Sequence, residues 1–375
     1  MLSKSNGFYC LTEARELRGM TVNDLAQATG LSRQTIYKYE NGTQTPSAET
    51  QQLIISVLGF PYTFFEYPKT SNDFSSRPIF FRDMKTNLAT KRKMAYRWLQ
   101  VLCNHVDYLQ NYLELNPVNV PDFDYPDVLS MTDEEIDIAA DNLRRFWGLR
   151  NGPISNVTQL LENNGFIILR KYLDADKMDA CSIIKDGRPY ILINTYKQTC
   201  SRDLMNLCHE LGHVILHQGI SIENLMDKTT FELIEHQAWR FAEAFLMPPS
   251  TFIFEVGYPT LSHFKTLKLR WRTSIAGMIK YCLDYGIIDK EKYQYFYREM
   301  ARQGIRKAEP YDDTIAVEQS TVLLECEQLL IAEGIKSQWE MLDESELNDN
   351  DYCELIAAPK DYFGISNNKP RLRLV

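Results

Sequence analysis

Two histidines and a glutamate, in the spacing His209-Glu210-x-x-His213, are the residues of this 375-residue sequence best placed to do chemistry. Residues four apart on a helix lie on the same face, so both imidazoles can reach one metal ion. Glu210 lies about a third of a turn away and can instead reach a water on that metal. Zinc lowers the pKa of such a water to about 7, and the carboxylate can take its proton during attack on a peptide carbonyl.

A catalytic zinc site needs a third protein ligand and an open fourth position for water. A helix predicted over about residues 230–247 offers both Glu235 and His236, and we favour Glu235 as the ligand. We expect Glu232 and Glu243, on the same helix, to lie on a solvent-facing side.

Further side chains could support the reaction. His217 lies two turns after His209 and could orient a ligand or stabilise an oxyanion, with a purely structural role as the equal alternative. His236 remains a candidate for the same supporting role. Tyr190 and Tyr196 are possible oxyanion donors, and the residues alone do not choose between them.

Two kinds of element must position these groups. A small sheet of about three strands is predicted just ahead of the metal-binding helix, from a buried strand at 166–169 and a hairpin over 180–184 and 190–193. The edge of such a sheet can hold an extended substrate as one more strand. The helix itself is predicted by apolar residues at three- and four-residue steps, namely Leu204, Leu207, Leu211, Val214 and Ile215.

Residues 11–58 carry a second pattern, short helices joined by turns that contain glycine. Thr21 and Ser32 are predicted N-caps. Helix, short glycine turn and helix is the helix-turn-helix arrangement, in which the second helix enters the major groove of DNA. On that helix Ile36 should pack inward, and five side chains are predicted to contact DNA: Arg33, Gln34, Thr35, Tyr37 and Lys38.

The composition fits an ordinary globular protein of two or three domains. Residues 1–97 carry 13 Lys and Arg against 8 Asp and Glu, and the remainder of the chain carries 28 against 42. The N-terminal part is therefore net positive and the rest of the chain net negative. This uneven charge is consistent with an N-terminal part that contacts nucleic acid.

The eight cysteines form no C-x-x-C pair, and neither a signal peptide nor a membrane span is apparent. These features predict a cytoplasmic protein with reduced thiols and no membrane contact.

Residues 11–47, LTEARELRGMTVNDLAQATGLSRQTIYKYENGTQTPS, closely resemble the XRE-type (Cro/repressor-like) DNA-binding domain. The resemblance covers about fifty residues. It implies binding to operator DNA as a homodimer, although some members use the domain only for protein contacts.

The segments CHELGHVILH and IEHQAWRFAEAFLMP resemble the ImmA/IrrE family of metallopeptidases, over roughly residues 150–310. The resemblance implies zinc bound by His209, His213 and Glu235, with Glu210 as general base. It also implies cleavage of a repressor, often itself a helix-turn-helix protein. His236 and Trp239 depart from the residues usual in the family, and the bulk of Trp239 is expected to narrow the cleft or alter its substrate.

These patterns predict an α+β, predominantly helical protein that combines an N-terminal all-α domain with a zincin-like domain, a small β-sheet and helical extensions. The expected function is a DNA-binding transcriptional regulator whose zinc endopeptidase cleaves a partner repressor. The alternative is a non-catalytic regulator whose zinc domain is a sensor or dimerisation platform. The expected ranges are helix-turn-helix 8–65, linker and helical segment 66–150, zincin-like core 151–256, helical subdomain 257–310 and C-terminal extension 311–375.

The linker itself is predicted over the polar, proline-flanked residues 66–78. Within the helical subdomain, we expect a locally basic group to lie on a solvated helix face. Its members are Lys265, Lys268, Arg270 and Arg272.

Overall fold

The computed structural model describes residues 8–68, 80–81, 89–121, 125, 127–176 and 178–364. In these residues helices predominate and the strands form one small sheet, as the predicted α+β, mainly helical class requires. The predicted linker 66–78 lies mostly outside the described residues. None of the helices in the described part of the chain has both the length and the apolarity of a membrane span.

The N-terminal region folds as the helix-turn-helix pattern predicts. The Thr21 hydroxyl accepts a hydrogen bond from the Asp24 amide while the Asp24 carboxylate accepts one from the Thr21 amide, so both ends of this capping box are satisfied. Ser32 caps the next helix by accepting from the Thr35 amide. The four helices are α1 (Leu11–Leu17), α2 (Val22–Thr29), α3 (Arg33–Glu40) and α4 (Ala48–Leu58), followed by a 3-10 turn at Tyr62–Phe65.

The remaining helices follow a long connecting helix, α5 (Ala89–Leu109). A 3-10 turn at Val128–Ser130 precedes the helices of the middle part of the chain, which are α6 (Asp133–Phe146), α7 (Val157–Asn163), α8 (Cys200–Leu216), α9 (Ile222–Met226) and α10 (Lys228–Leu246). The chain then continues through α11 (Pro249–Val256), α12 (Leu261–Trp271), α13 (Ile275–Asp284), α14 (Lys290–Arg302), α15 (Val322–Ala332), α16 (Gln338–Ser345) and α17 (Asp349–Leu355).

The sheet has four strands rather than the predicted three. They are β1 (Phe80–Phe81), β2 (Ile167–Lys171), β3 (Ala180–Lys185) and β4 (Arg188–Asn194), in the order β1-β3-β4-β2. The additional strand, β1, pairs antiparallel with β3, with Phe80 opposite Ser182 and Phe81 opposite Cys181. A two-residue strand has no periodicity of its own, so only its distant partner reveals it.

The two faces of the sheet belong to two separate hydrophobic cores. Successive side chains of a strand point to opposite faces, so Leu169 and Ile183 enter one core while Ile168 and Ile191 enter the other. The first core also contains α5, the N-terminal helices and the C-terminal helices α15–α17. The second contains α8, α10 and the helices that follow them. Helices α15–α17 of the C-terminal extension therefore pack on the face of the sheet opposite α8.

One carboxylate, that of Asp351 on α17, joins the N-terminal helices to the sheet. It accepts a hydrogen bond from Arg18 at 2.6 Å and another from the Lys171 ammonium, at the end of β2, at 2.9 Å. The Lys171 ammonium also lies 3.8 Å from the centre of the Trp98 ring on α5. The three charged side chains thus connect segments that are far apart in the chain.

The prediction of a solvated basic face in the helical subdomain is wrong for Lys268. Its side chain is fully buried, and its ammonium donates to Glu309 at 2.8 Å and to Asp312 at 2.5 Å. Arg272 likewise pairs with Glu318 at 2.8 Å. The acidic partners lie about forty residues along the chain, so the local charge pattern could not reveal them.

The substitution D351N should lower the free energy of unfolding by about 2 kcal/mol, because Arg18 would lose its carboxylate partner and Lys171 would keep only Glu354, while both remain largely buried. Chemical denaturation at pH 7 measures this loss. Burial raises the pKa of Asp351, but the hydrogen bond from Arg18 and the charge of Lys171 lower it further, to below its usual value. The stabilisation is therefore present above the unfolded pKa of about 3.9 and lost as the pH falls through the folded value.

The matched control is E232Q, which removes an exposed ion pair with Lys228 and should leave stability nearly unchanged. Equal losses of stability in the two variants would contradict the importance of Asp351.

Candidate functional site

The histidine pair lies on α8, as the sequence pattern predicts. Thr199 caps this helix by accepting from the Arg202 amide. Apolar side chains of α8, including Leu207 and Leu211, are fully buried in the second core. His209 and His213 are also buried, at 3% and 1% exposure, so their ring nitrogens need partners inside the protein.

The structure brings His209, His213 and Glu235 together, and we call these three side chains the metal cluster. The Nε2 atoms of His209 and His213 are 3.1 Å apart. Glu235 Oε2 lies 3.5 Å from His209 Nε2, and Glu235 Oε1 lies 3.3 Å from His213 Nε2. In a tetrahedron with metal–ligand bonds of about 2.0–2.1 Å, the ligand atoms are about 3.3 Å apart. The donor types and their spacing therefore fit zinc.

Close packing of α10 on α8 brings Glu235 to the histidines. A Cβ atom added to Gly212 would lie 3.1 Å from both the Cα and the carbonyl oxygen of Ala238 and 3.3 Å from Phe241 Cβ. Glycine inside a helix costs about 1 kcal/mol relative to alanine, so its presence here needs a packing reason. Sequence analysis did not assign this role to Gly212, although a glycine within a helical pattern was visible.

Glu210 is buried beside the metal cluster and is held by β3. The Ser182 hydroxyl donates a hydrogen bond of 2.5 Å to Glu210 Oε2. Burial raises the pKa of Glu210 to about 8, the hydrogen bond from Ser182 opposes this change, and the charge of Glu235 adds to it. A cation in the cluster would lower this pKa again. Sequence analysis missed Ser182, whose partner lies on another element 28 residues away.

Behind His213 runs a buried chain of polar groups. His213 Nδ1 is 3.0 Å from His217 Nδ1, and His217 Nε2 is 3.0 Å from Gln237 Oε1. The Gln237 amide donates to the Val128 carbonyl at 2.5 Å. Burial, together with the charge of His213, lowers the pKa of His217 to about 3, so His217 is neutral at pH 7. Sequence analysis proposed a role for His217 but missed Gln237.

Trp239 packs on the other histidine ring of the cluster, that of His209. Its indole lies against the His209 imidazole, with ring centres 4.2 Å apart. Trp239 also borders an open groove of about 870 Å³ that runs past Tyr196, Arg306 and Lys307. A volume in this range suits a small ligand or a few peptide residues. Of the two tyrosines considered as oxyanion donors, Tyr196 lies on the groove.

Other candidates lie away from the cluster. His236 is largely exposed and its Nε2 is 2.8 Å from an Asp133 carboxylate oxygen on α6. Tyr190 is buried in the first core, across the sheet from α8. Glu232 is exposed, as expected. The prediction of a solvated Glu243 is wrong, because that side chain is partly buried and burial raises its pKa to about 8.

The predicted DNA-contacting helix, α3, presents most of its polar side chains to solvent. Arg33, Gln34, Tyr37 and Lys38 are exposed, whereas Ile36 is fully buried. Thr35 is half-buried, with its hydroxyl 2.8 Å from that of its neighbour Ser32. The exposed side chains form the surface that a major groove would meet.

Comparisons with known proteins match these two regions separately. A helix-turn-helix family model matches residues 11–65, and the model of the peptidase M78 family, described as the IrrE N-terminal-like domain, matches residues 166–276. A similar curated protein is an HTH-type transcriptional regulatory protein of Methanothermobacter thermautotrophicus, 43% identical over 53 residues. That match covers 14% of this chain and 17% of the relative's length. The fusion inferred from the motifs is confirmed, and the two domains together support a transcription regulator.

The substitution E235A should lower zinc affinity by at least about 100-fold, because it removes one of three proposed ligands. Loss of a group that only hydrogen-bonds to a ligand already lowers metal affinity by about 10- to 100-fold. Competition with a chromogenic chelator measures the dissociation constant. E232A, one turn earlier and exposed on the same helix, is the matched control and should bind zinc as wild type does. Equal affinity of E235A and wild type would exclude Glu235 as a ligand.

Proposed function

We propose that this protein is a DNA-binding regulator whose metal domain is a zinc-dependent endopeptidase that cleaves a partner repressor. The observation that supports catalysis best is the metal cluster with Glu210 beside it, since three ligand atoms 3.1–3.5 Å apart would hold a zinc ion next to a carboxylate that could take a proton.

His209, His213 and Glu235 would hold the ion, which when bound supplies an acidified water and a Lewis acid for a peptide carbonyl. Glu210 would accept the proton from the attacking water and pass it to the leaving amine. Because Ser182 occupies Oε2 of Glu210, the proton would move through Oε1. The indole of Trp239 would keep the His209 ring in place.

The groove beside Trp239 would receive the segment of the substrate around the scissile bond. A peptide could also add to the outer edge of β3, where zinc peptidases can bind substrate as an extra strand. Cys181 and Ser182 of that edge already pair with β1, so such a peptide would have to take the place of residues 80–81.

DNA binding would be carried by α3, in a homodimer that reads two operator half-sites. Gln34 near the helix start suits adenine, while Arg33 and Lys38 suit phosphates or base edges. Tethering the peptidase to an operator would raise its effective concentration near a repressor bound there.

A second candidate is a regulator without turnover, in which the metal domain is a sensor or dimerisation platform. The contacts of Asp351 with Arg18 and Lys171 favour this candidate, because they connect the DNA-binding helices directly to the sheet of the metal domain. Metal binding could then alter DNA binding without any cleavage.

The substitution E210Q should abolish cleavage, with a loss of at least about 100-fold, because glutamine cannot take a proton. Zinc content should stay at the wild-type level. The protein is co-expressed with helix-turn-helix repressors of the same genome, and fragments are detected by mass spectrometry. The control E243Q alters a partly buried glutamate on a different helix, α10, and should cleave normally. Zinc-loaded wild type that cleaves none of these repressors would favour the second candidate.

The substitution Q34A should weaken specific DNA binding by roughly 10-fold or more, since a bidentate base contact is worth about 1–3 kcal/mol. Duplexes selected from a random pool by the wild-type protein serve as the probe, and binding is measured at several salt concentrations. Q319A, an exposed glutamine on the C-terminal extension, is the control. Failure of the wild type to select any sequence would exclude the DNA-reading role of α3.

A further inference from the structure

With neutral imidazoles, the buried polar chain behind the metal cluster has one consistent arrangement of protons. His213, His217 and Gln237 are each 1% exposed or less, so water does not satisfy their polar atoms. The chain ends at the Val128 carbonyl, 2.5 Å from the Gln237 side-chain nitrogen. A carbonyl can only accept a hydrogen bond, and this end therefore sets the direction of the whole chain.

The direction follows step by step from that carbonyl. The amide nitrogen of Gln237 must face Val128, so its oxygen faces His217 and needs a donor. His217 Nε2 must then carry the proton, and in a neutral imidazole Nδ1 is left with a lone pair. His213 Nδ1, 3.0 Å away, must donate to that lone pair. The Nε2 atom of His213 is thereby left unprotonated.

We propose that His217 and Gln237, anchored on Val128, are positioning residues that lock His213 in the tautomer able to bind a metal. The proposal rests on the proposed metal site, since it assigns a role to residues behind one of its ligands. The lone pair then lies on His213 Nε2. This atom is 3.1 Å from His209 Nε2 and 3.3 Å from Glu235 Oε1, so it faces the other two members of the metal cluster. Gln237 also ties this ligand to the 3-10 turn that precedes α6.

Neutral partners suit this position. A carboxylate is a common partner for a metal-binding histidine, but an unpaired charge buried this deeply is costly. Here the imidazole of His217 and the amide of Gln237, both neutral, connect His213 to the Val128 carbonyl. The backbone therefore orients the His213 ring, and no additional charge is buried. The arrangement therefore fixes the ring of His213 without changing the net charge of the cluster.

The substitution H217A should raise the dissociation constant for zinc by about 10- to 100-fold in the full-length protein, measured by chelator competition. H217N should recover most of the affinity, because its side-chain oxygen can accept from His213 Nδ1 in place of the imidazole nitrogen. The control H105A removes a buried histidine that pairs with Glu327 in the first core, and should not change zinc affinity.

Nitrogen-15 NMR of the histidine rings in the metal-free, full-length wild type tests the proposed arrangement of protons in the buried polar chain without any variant. We expect the proton on Nδ1 of His213 and on Nε2 of His217. The opposite tautomers, or H217A that is folded and binds zinc with wild-type affinity, would overturn the proposal. A wild type that binds no zinc would instead refute the proposed function. The observed tautomers would still decide whether His217 and Gln237 set the protonated nitrogen of His213.

Discussion

The close approach of α8 and α10 is the constraint on which the metal cluster depends. Two histidines on one helix offer two candidate ligands, but a third must come from a neighbouring helix at the correct distance. Gly212 has no side chain and lies directly against the backbone of Ala238, and Glu235 on α10 consequently lies within 3.5 Å of both imidazoles. A larger residue at either position would push the helices apart, because packed interiors have little room to give.

Burial of the cluster forces its polar neighbours into defined pairs. A buried polar group that lacks a partner is costly, and two of the groups around the cluster have defined hydrogen-bond partners. Ser182 holds Glu210, and Gln237 completes the chain behind His213. Trp239 packs its indole against the ring of His209. Alternation along β3 turns Ser182 toward α8 while Cys181 and Ile183 enter the opposite core. The small sheet thus contributes directly to the site as well as to the core.

The same sheet separates the site from the C-terminal helices α15–α17. These helices pack with α5 and the N-terminal helices, and Asp351 joins Arg18 to Lys171 across that core. The first core therefore combines residues from both ends of the chain around one face of the sheet.

The sequence by itself determined what depends on local period and capping: the helix that pairs His209 with His213, the capped helices of the DNA-binding region, and the inward Ile36. The sequence predicted Glu235 as third ligand only by a choice between it and His236. The helix that carries both residues was predictable, but the way this helix packs on α8 was not. The tertiary structure decided the contacts between distant segments, including Ser182 with Glu210, Gln237 with Val128, and Lys268 with Glu309. The physical reason is that a helical or strand period specifies which face a residue occupies, whereas the identity of the group that meets that face depends on how the elements pack.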